Sequence, residues 1–349
     1  MQDLLLFILV LAALILGHEL GHFLLARLWH IEVEEFGLGF PPRLATLFVA
    51  GGTRFTLNAI PLGGFVRPVG EDDPSTPGGL AAAPRLARAM VLFAGPGANL
   101  LLAFFAFTAA FKFAAPDPDR VLLTAVTPDS PAAVAGLLEG DLVLRVNDVP
   151  VTGVDSLREA IAAHLGEPVQ LLISRDGIQI AVSLTPRADP PAGEGPIGVT
   201  LGNPARTVST WEALQEGWRS TRDHFLQILR LPGQWLRGEL QPEETRITGL
   251  KGIYDLLAWA GDVDRAAQRP FVTLHFIGFL SASLALANLL PIPALDGGRL
   301  LFLAIEAVLG KRISPRYEGW AHAVGYALLL ALMLYVNFQD FVNPLPLPR

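Results

Sequence analysis

Two imidazoles four residues apart, His18 and His22, with the carboxylate of Glu19 between them, interrupt an otherwise Leu/Ile/Ala/Phe run from Leu4 to Leu28. On a helix, positions i and i+4 lie on one face a turn apart, so the two ring nitrogens can grip one zinc ion. Glu19 then stands beside the metal, where it can take a proton from a water whose pKa zinc has drawn toward about 7. A second polar group occurs far along the chain, in Asn288-Leu289-Leu290-Pro291-Ile292-Pro293-Ala294-Leu295-Asp296-Gly297-Gly298. Its two prolines end a helix and its glycines let the backbone turn tightly, so an unwound stretch is expected there, with Asp296 as its charge.

The element that must position the first motif is a membrane-length helix. At about 1.5 Å per residue the run Leu4–Leu28 reaches roughly 37 Å, enough to cross a hydrocarbon core of about 30 Å. Ionisable groups at that depth are costly and mark function. The start Met1-Gln2-Asp3 lacks the basic n-region of a signal peptide, and the apolar run continues past the motif. Three further segments are long enough to span: Ala89–Phe113, Phe271–Leu290 and Ala321–Phe341.

Composition agrees with few spans and one modest water-exposed module. The chain has 349 residues, of which 51% are apolar, and contains no cysteine; its mean hydropathy is +0.43. Zinc must therefore be held by His, Asp or Glu, without thiolates. A net charge of −7, with no basic block, excludes nucleic acid as a partner. The loops after the first and third spans carry Arg27, Arg43, Arg54, Arg67, Arg85 and Arg88, and Arg299, Lys311, Arg312 and Arg316. The positive-inside rule puts these loops in the cytoplasm and both termini, with residues 114–270, outside.

Depth then brings the pieces together. The first and third spans run inward and carry their polar residues late, about 21 Å in for His18 and about 26 Å for Asn288. The second span runs outward and has Gly95-Pro96-Gly97-Ala98-Asn99 near its inner end. All three meet in the inner half of the bilayer, where His18, His22 and Asp296 with one open position match a catalytic zinc site. Asn99 there serves either helix packing or a hydrogen bond.

Between the spans, Phe55, Leu57 and Ala59 alternate with polar residues, and Gly51-Gly52 separates them from Arg43–Val49. This predicts a β-hairpin, either an ordinary loop or an edge that could pair with an extended peptide. Glu71–Gly79 is a polar linker. Residues 121–186 predict a compact α+β unit with strands at Val121–Val126, Leu142–Val146 and Val149–Val151, a helix at Ser156–His164 and a hairpin of Val169–Ser174 with Gln179–Leu184. Its run Ser130-Pro131-Ala132 to Asn147 resembles a PDZ domain of the bacterial, circularly permuted kind. That resemblance implies a groove beside the Ser156–His164 helix that either takes an extended chain end or stands unused as a spacer. Trp211 to Leu236 has apolar residues at near-helical intervals, which predicts an amphipathic helix broken near Pro232-Gly233, lying on the outer leaflet or packed on the PDZ unit. His224 and His275 lack ligand spacing and are read as non-ligands.

With both motifs in this order around a PDZ insert, the chain resembles the site-2 protease family, the RseP-type bacterial intramembrane zinc metalloproteases, along essentially its whole length. The resemblance implies one zinc per chain on His18, His22 and Asp296, Glu19 as general base and acid, and Asn288 as a substrate-orienting or transition-state-stabilising amide. It also implies a bacterial inner-membrane location, lipid contact, and a single-pass transmembrane substrate such as an anti-sigma factor or a remnant signal peptide. Two departures are a single PDZ unit and the absence of a Gly-Pro step in Thr248–Ile253.

The expected fold is thus a polytopic α-helical membrane protein with four transmembrane helices, a membrane-associated β-hairpin region and an inserted α+β PDZ domain. The expected division is a first span with its motif (1–30), β region and linker (31–88), second span (89–113), PDZ domain (114–190), amphipathic helix region (191–270), third span with Leu-Asp-Gly-Gly (271–310) and fourth span with tail (311–349). Two rival readings are a membrane zinc protease of another His-Glu-x-x-His class, with a downstream Glu as third ligand, and a PDZ-bearing scaffold or inactive homologue.

Overall fold

A computed structural model describes residues 2–71, 73–191, 193–239 and 246–344. Asp72 of the expected linker, and the outlying parts of the expected regions at 1, 192, 240–245 and 345–349, fall outside the described residues. In chain order the elements are α1 (Gln2–Leu28), β1 (Val33–Ala50), β2 (Thr53–Pro68), α2 (Arg85–Ala114), β3 (Val121–Val126), α3 (Pro131–Val134), β4 (Leu142–Val146), β5 (Val149–Pro150) and α4 (Val154–Ala162). Then follow β6 (Val169–Arg175), β7 (Ile178–Leu184), β8 (Val199–Gly202), α5 (Thr210–Leu236), α6 (Leu250–Ala267), α7 (Phe271–Leu289), α8 (Asp296–Leu309) and α9 (Pro315–Val342). They form two compact units, one of Met1–Thr108, Gln215–Trp259 and Leu274–Arg349, the other of Ala109–Leu214 and Ala260–Thr273.

The first unit holds most of the apolar helix. Among the described residues, α1, α2, α7 and α9 are long and apolar enough to cross a membrane. The first two approach closely because Gly21 faces α2, where a β-carbon would stand 2.3 Å from the Ala94 carbonyl oxygen. Leu257 of α6 packs with Val10 and Leu14 of α1. The third apolar segment ends at Leu289, and after the unwound residues 290–295 the chain resumes as the separate helix α8.

The β region is larger than the predicted hairpin. Its turn is made by Gly51 and Gly52 at φ of +58° and +84°, a left-handed pair that glycine adopts without strain. From there Ala50 pairs with Thr53 back to Arg43 with Asn58, and Glu35–Leu38 pair with both Arg54–Leu57 and Gly64–Arg67. Repeated register shifts interrupt the alternation over Val33–Phe40, so a period-2 search finds only the outer hairpin.

In the second unit the sheet order is β7-β6-β4-β3-β8, with β5 paired to β4, over a core that includes Val121, Leu123, Leu157, Leu171 and Ile173. Asp141, fully buried, binds the Arg175 guanidinium through both oxygens at 2.7 Å and accepts the Leu138 amide at 2.9 Å. The Gly140-Asp141 step of the sequence pattern is therefore structural.

Two expectations shift. The helix expected at Ser156–His164 begins two residues earlier, because Ser156 sits inside the first turn, where its Oγ accepts from Thr152 N at 2.9 Å and donates to Gly153 O at 2.8 Å. The break expected at Pro232-Gly233 does not occur, since α5 runs on to Leu236. The helix is anchored well before that step, where Gly217 lies against Thr108 of α2 and His224 meets Ser283 of α7 at 3.0 Å.

Candidate metal centre

His18 and His22 on α1 present their Nε2 atoms to each other at 3.2 Å, and Asp296, in the first turn of α8, brings Oδ2 to 3.2 and 3.3 Å from them. The three side chains are 12%, 13% and 18% exposed. Oδ2 is buried without a hydrogen bond. Three lone-pair donors thus converge on one point. The edge of a tetrahedron with bonds of about 2.0–2.1 Å is about 3.3–3.4 Å, so the spacing fits a zinc ion with two nitrogens and one carboxylate oxygen. Among the described residues these are the group of His, Asp and Glu placed to hold a metal, and a downstream Glu is not part of it.

The outer nitrogens explain why both rings point this way. His22 Nδ1 donates to the Val91 carbonyl of α2 at 2.7 Å, which puts its proton on Nδ1 and leaves Nε2 free for metal. His18 Nδ1 lies 3.3 Å from the side-chain amide of Asn99, which is fully buried. With Nε2 turned to the metal point, His18 carries its proton on Nδ1 and needs an acceptor there. Asn99 Oδ1 is buried and unpartnered as placed, so a half-turn of the amide supplies that acceptor. Ser281 of α7 fixes the Asn99 backbone by donating to its carbonyl at 2.7 Å. Of the two roles open to Asn99 in sequence, the structure shows the hydrogen bond. Gly95 completes this wall: a β-carbon there would lie 2.2 Å from His22 Nε2.

Asp296 is placed by the unwound stretch before it. A β-carbon on Gly297 would meet the carbonyl oxygens of Leu289 and Leu290 at 2.3 Å, and one on Gly298 that of Ile292, also at 2.3 Å. Both glycines are needed for the first turn of α8 to fold back on the end of α7. At the other end of α8, the buried Glu306 takes a hydrogen bond from Arg88 of α2 at 2.8 Å; in its first turn, Arg299 pairs with Glu71 at 2.6 Å.

Glu19 lies beside β2. Gly64 is pressed against the same side chain, since a β-carbon there would be 3.1 Å from Glu19 Cγ. The β region thus borders the candidate base, which its alternation alone did not reveal. Asn288 is half-buried, and no hydrogen bond ties it to the metal-binding group among the described residues. His224 meets Ser283, and His275 packs on the Phe107 ring at 4.7 Å, both outside that group.

Comparison with known proteins adds an independent line. A sequence profile described as Peptidase family M50 matches residues 6–332. The chain is 32% identical over 339 residues to a protein of Clostridium perfringens that carries a provisional zinc-metalloprotease name, covering 97% of this chain and 98% of that one. It is 30% identical over 422 residues to the zinc metalloprotease RasP of Geobacillus kaustophilus, again covering 97% and 98%.

Proposed function

The chain belongs to peptidase family M50, the site-2 protease family, and is a zinc metalloprotease; from that premise we propose that it cuts transmembrane segments of single-pass proteins within the bilayer, with His18, His22 and Asp296 as zinc ligands and Glu19 as general base and acid. The observation that carries this reading is the convergence of His18, His22 and Asp296 at 3.2–3.3 Å on helices apolar enough to span a membrane.

His18, His22 and Asp296 would hold a zinc ion that, when bound, would supply Lewis acidity toward the scissile carbonyl and a water. Glu19, one residue from His18, takes the proton of that water and passes it to the departing amide nitrogen. The Gly64 backbone borders the Glu19 side chain on the side of β2. Asn288 orients the substrate or stabilises charge on its carbonyl oxygen.

A peptide bond in a helix is shielded by its own hydrogen bonds, so the substrate must unwind. Gly64–Arg67 is paired on one side only, with Glu35–Leu38, among the described residues. An extended segment that adds to that edge runs past Glu19, and its new backbone bonds offset the loss of helix. The unit around α4 acts as a PDZ domain whose groove receives or excludes substrate ends. The location is a bacterial inner membrane, with termini and PDZ unit outside. Anti-sigma factors and remnant signal peptides are the substrate type.

Co-expression of single-span proteins with the wild type and with Glu19→Gln tests this. The variant should keep stoichiometric zinc and lose cleavage by about 10²–10⁴-fold or more. Retained proteolysis would remove Glu19 from the mechanism.

A further inference from the structure

Ala294, two residues before Asp296, has φ of +83°. This left-handed backbone is one that glycine enters freely and that a β-carbon disfavours, so it persists only where neighbours hold it. Those neighbours are on α9. The Ala294 amide donates to His322 Nδ1 at 2.8 Å, which makes Nδ1 the acceptor and puts the ring proton on Nε2. His322 is 9% exposed, and its ring packs 5.7 Å from that of Phe302 on α8. One turn further, a β-carbon on Gly325 would stand 2.2 Å from the Pro293 carbonyl oxygen, so α9 lies directly on the turn.

We propose that His322 is a positioning residue of the metal centre: by accepting the Ala294 amide proton it locks the turn through which Asp296 is aimed at His18 and His22. The proposal rests on reading those three side chains as zinc ligands. Without the acceptor, the Ala294 amide is left unpaired, and rotation of this residue back to negative φ relieves both the lost bond and the β-carbon. That rotation re-aims Leu295 and Asp296. A rigid ring with one lone pair suits this task, because the Nδ1 position is fixed by two side-chain torsions.

The test uses full-length protein in detergent micelles, stripped of metal, with zinc affinity read by competition against a fluorescent chelator. His322→Leu removes the acceptor and should weaken zinc binding about 10–100-fold, the range for lost outer-shell partners. His322→Asn places Oδ1 where Nδ1 stood and should retain near wild-type affinity, whereas His322→Gln, whose oxygen is one bond further out, should not. Ala294→Gly removes the need for the lock, so Ala294→Gly/His322→Leu should recover most of the loss. A merely structural role for His322 predicts no such recovery. Should His322→Leu fail to fold, the contrast between Gln and Asn carries the test. Wild-type affinity in His322→Leu, or in His322→Gln, with Asp296→Ala impaired, overturns the proposal alone. Equal weakening in the single and double variants overturns it too. Wild-type affinity in Asp296→Ala overturns the ligand reading and the proposal with it.

Discussion

A single methyl group measures how closely the candidate metal centre is walled. Gly95→Ala puts a β-carbon 2.2 Å from His22 Nε2 and 2.8 Å from His18 Cε1, so both imidazole rings must turn away from Asp296 to admit it. It should lower zinc affinity about 10–100-fold in a chelator competition, the scale seen when outer-shell support is lost. Gly97→Ala is the control, because its β-carbon meets only the edge of Phe93 at 3.4 Å and should leave zinc binding unchanged. The contrast also marks what a linear reading can see. His18, Glu19 and His22 were legible because helical spacing alone puts them on adjoining faces, and Asp296 because charge beside broken helix at membrane depth needs a reason. Asn99 was legible only as a polar residue in want of a partner. That the partner is His18 depends on how α1 crosses α2, which no local pattern encodes. His322 is further still from view, since its contact is a backbone amide with no side-chain signature.

At the scale of elements, α8 is a lever whose first turn carries Asp296 and whose far end is tied by Glu306 to Arg88 of α2. Glu306 is 3% and Arg88 14% exposed, so removing one charge strands the other in a poorly solvated place. Glu306→Ala should destabilise the folded protein by about 3–5 kcal/mol, seen as a lower Tm in detergent micelles. The paired change Arg88→Met/Glu306→Leu should recover most of that loss, because two apolar groups have no unmet charge. A lowered Tm in the pair equal to that of the single variant would mean that α8 is not held by this bond. The four long apolar helices were readable from length and hydropathy, and their observed limits lie within a few residues of the expected ones at most ends. The β region was half-read, since its bulged strand from Val33 to Phe40 lacks clean alternation. The continuation of α5 through Pro232 to Leu236 was not legible, since Pro and Gly in succession read locally as a break.

For the whole molecule, the absence of native cysteine makes topology directly measurable. Asp155→Cys lies at a side chain 91% exposed on α4, and Lys311→Cys on an exposed residue after α8. A membrane-impermeant maleimide should label the first in intact spheroplasts and the second only after lysis; the reverse pattern would invert the assigned orientation. The joining of α1 to α8 has a further consequence during synthesis. His18 and His22 emerge first, and Asp296 follows some 270 residues later. At bacterial elongation rates of about 5–20 residues per second, roughly 15–55 s separate the two proposed histidine ligands from the proposed third. On the proposed ligand set, the ribosome-attached chain would lack a complete metal site through that interval, so hydrolysis would wait for the start of α8 to be made.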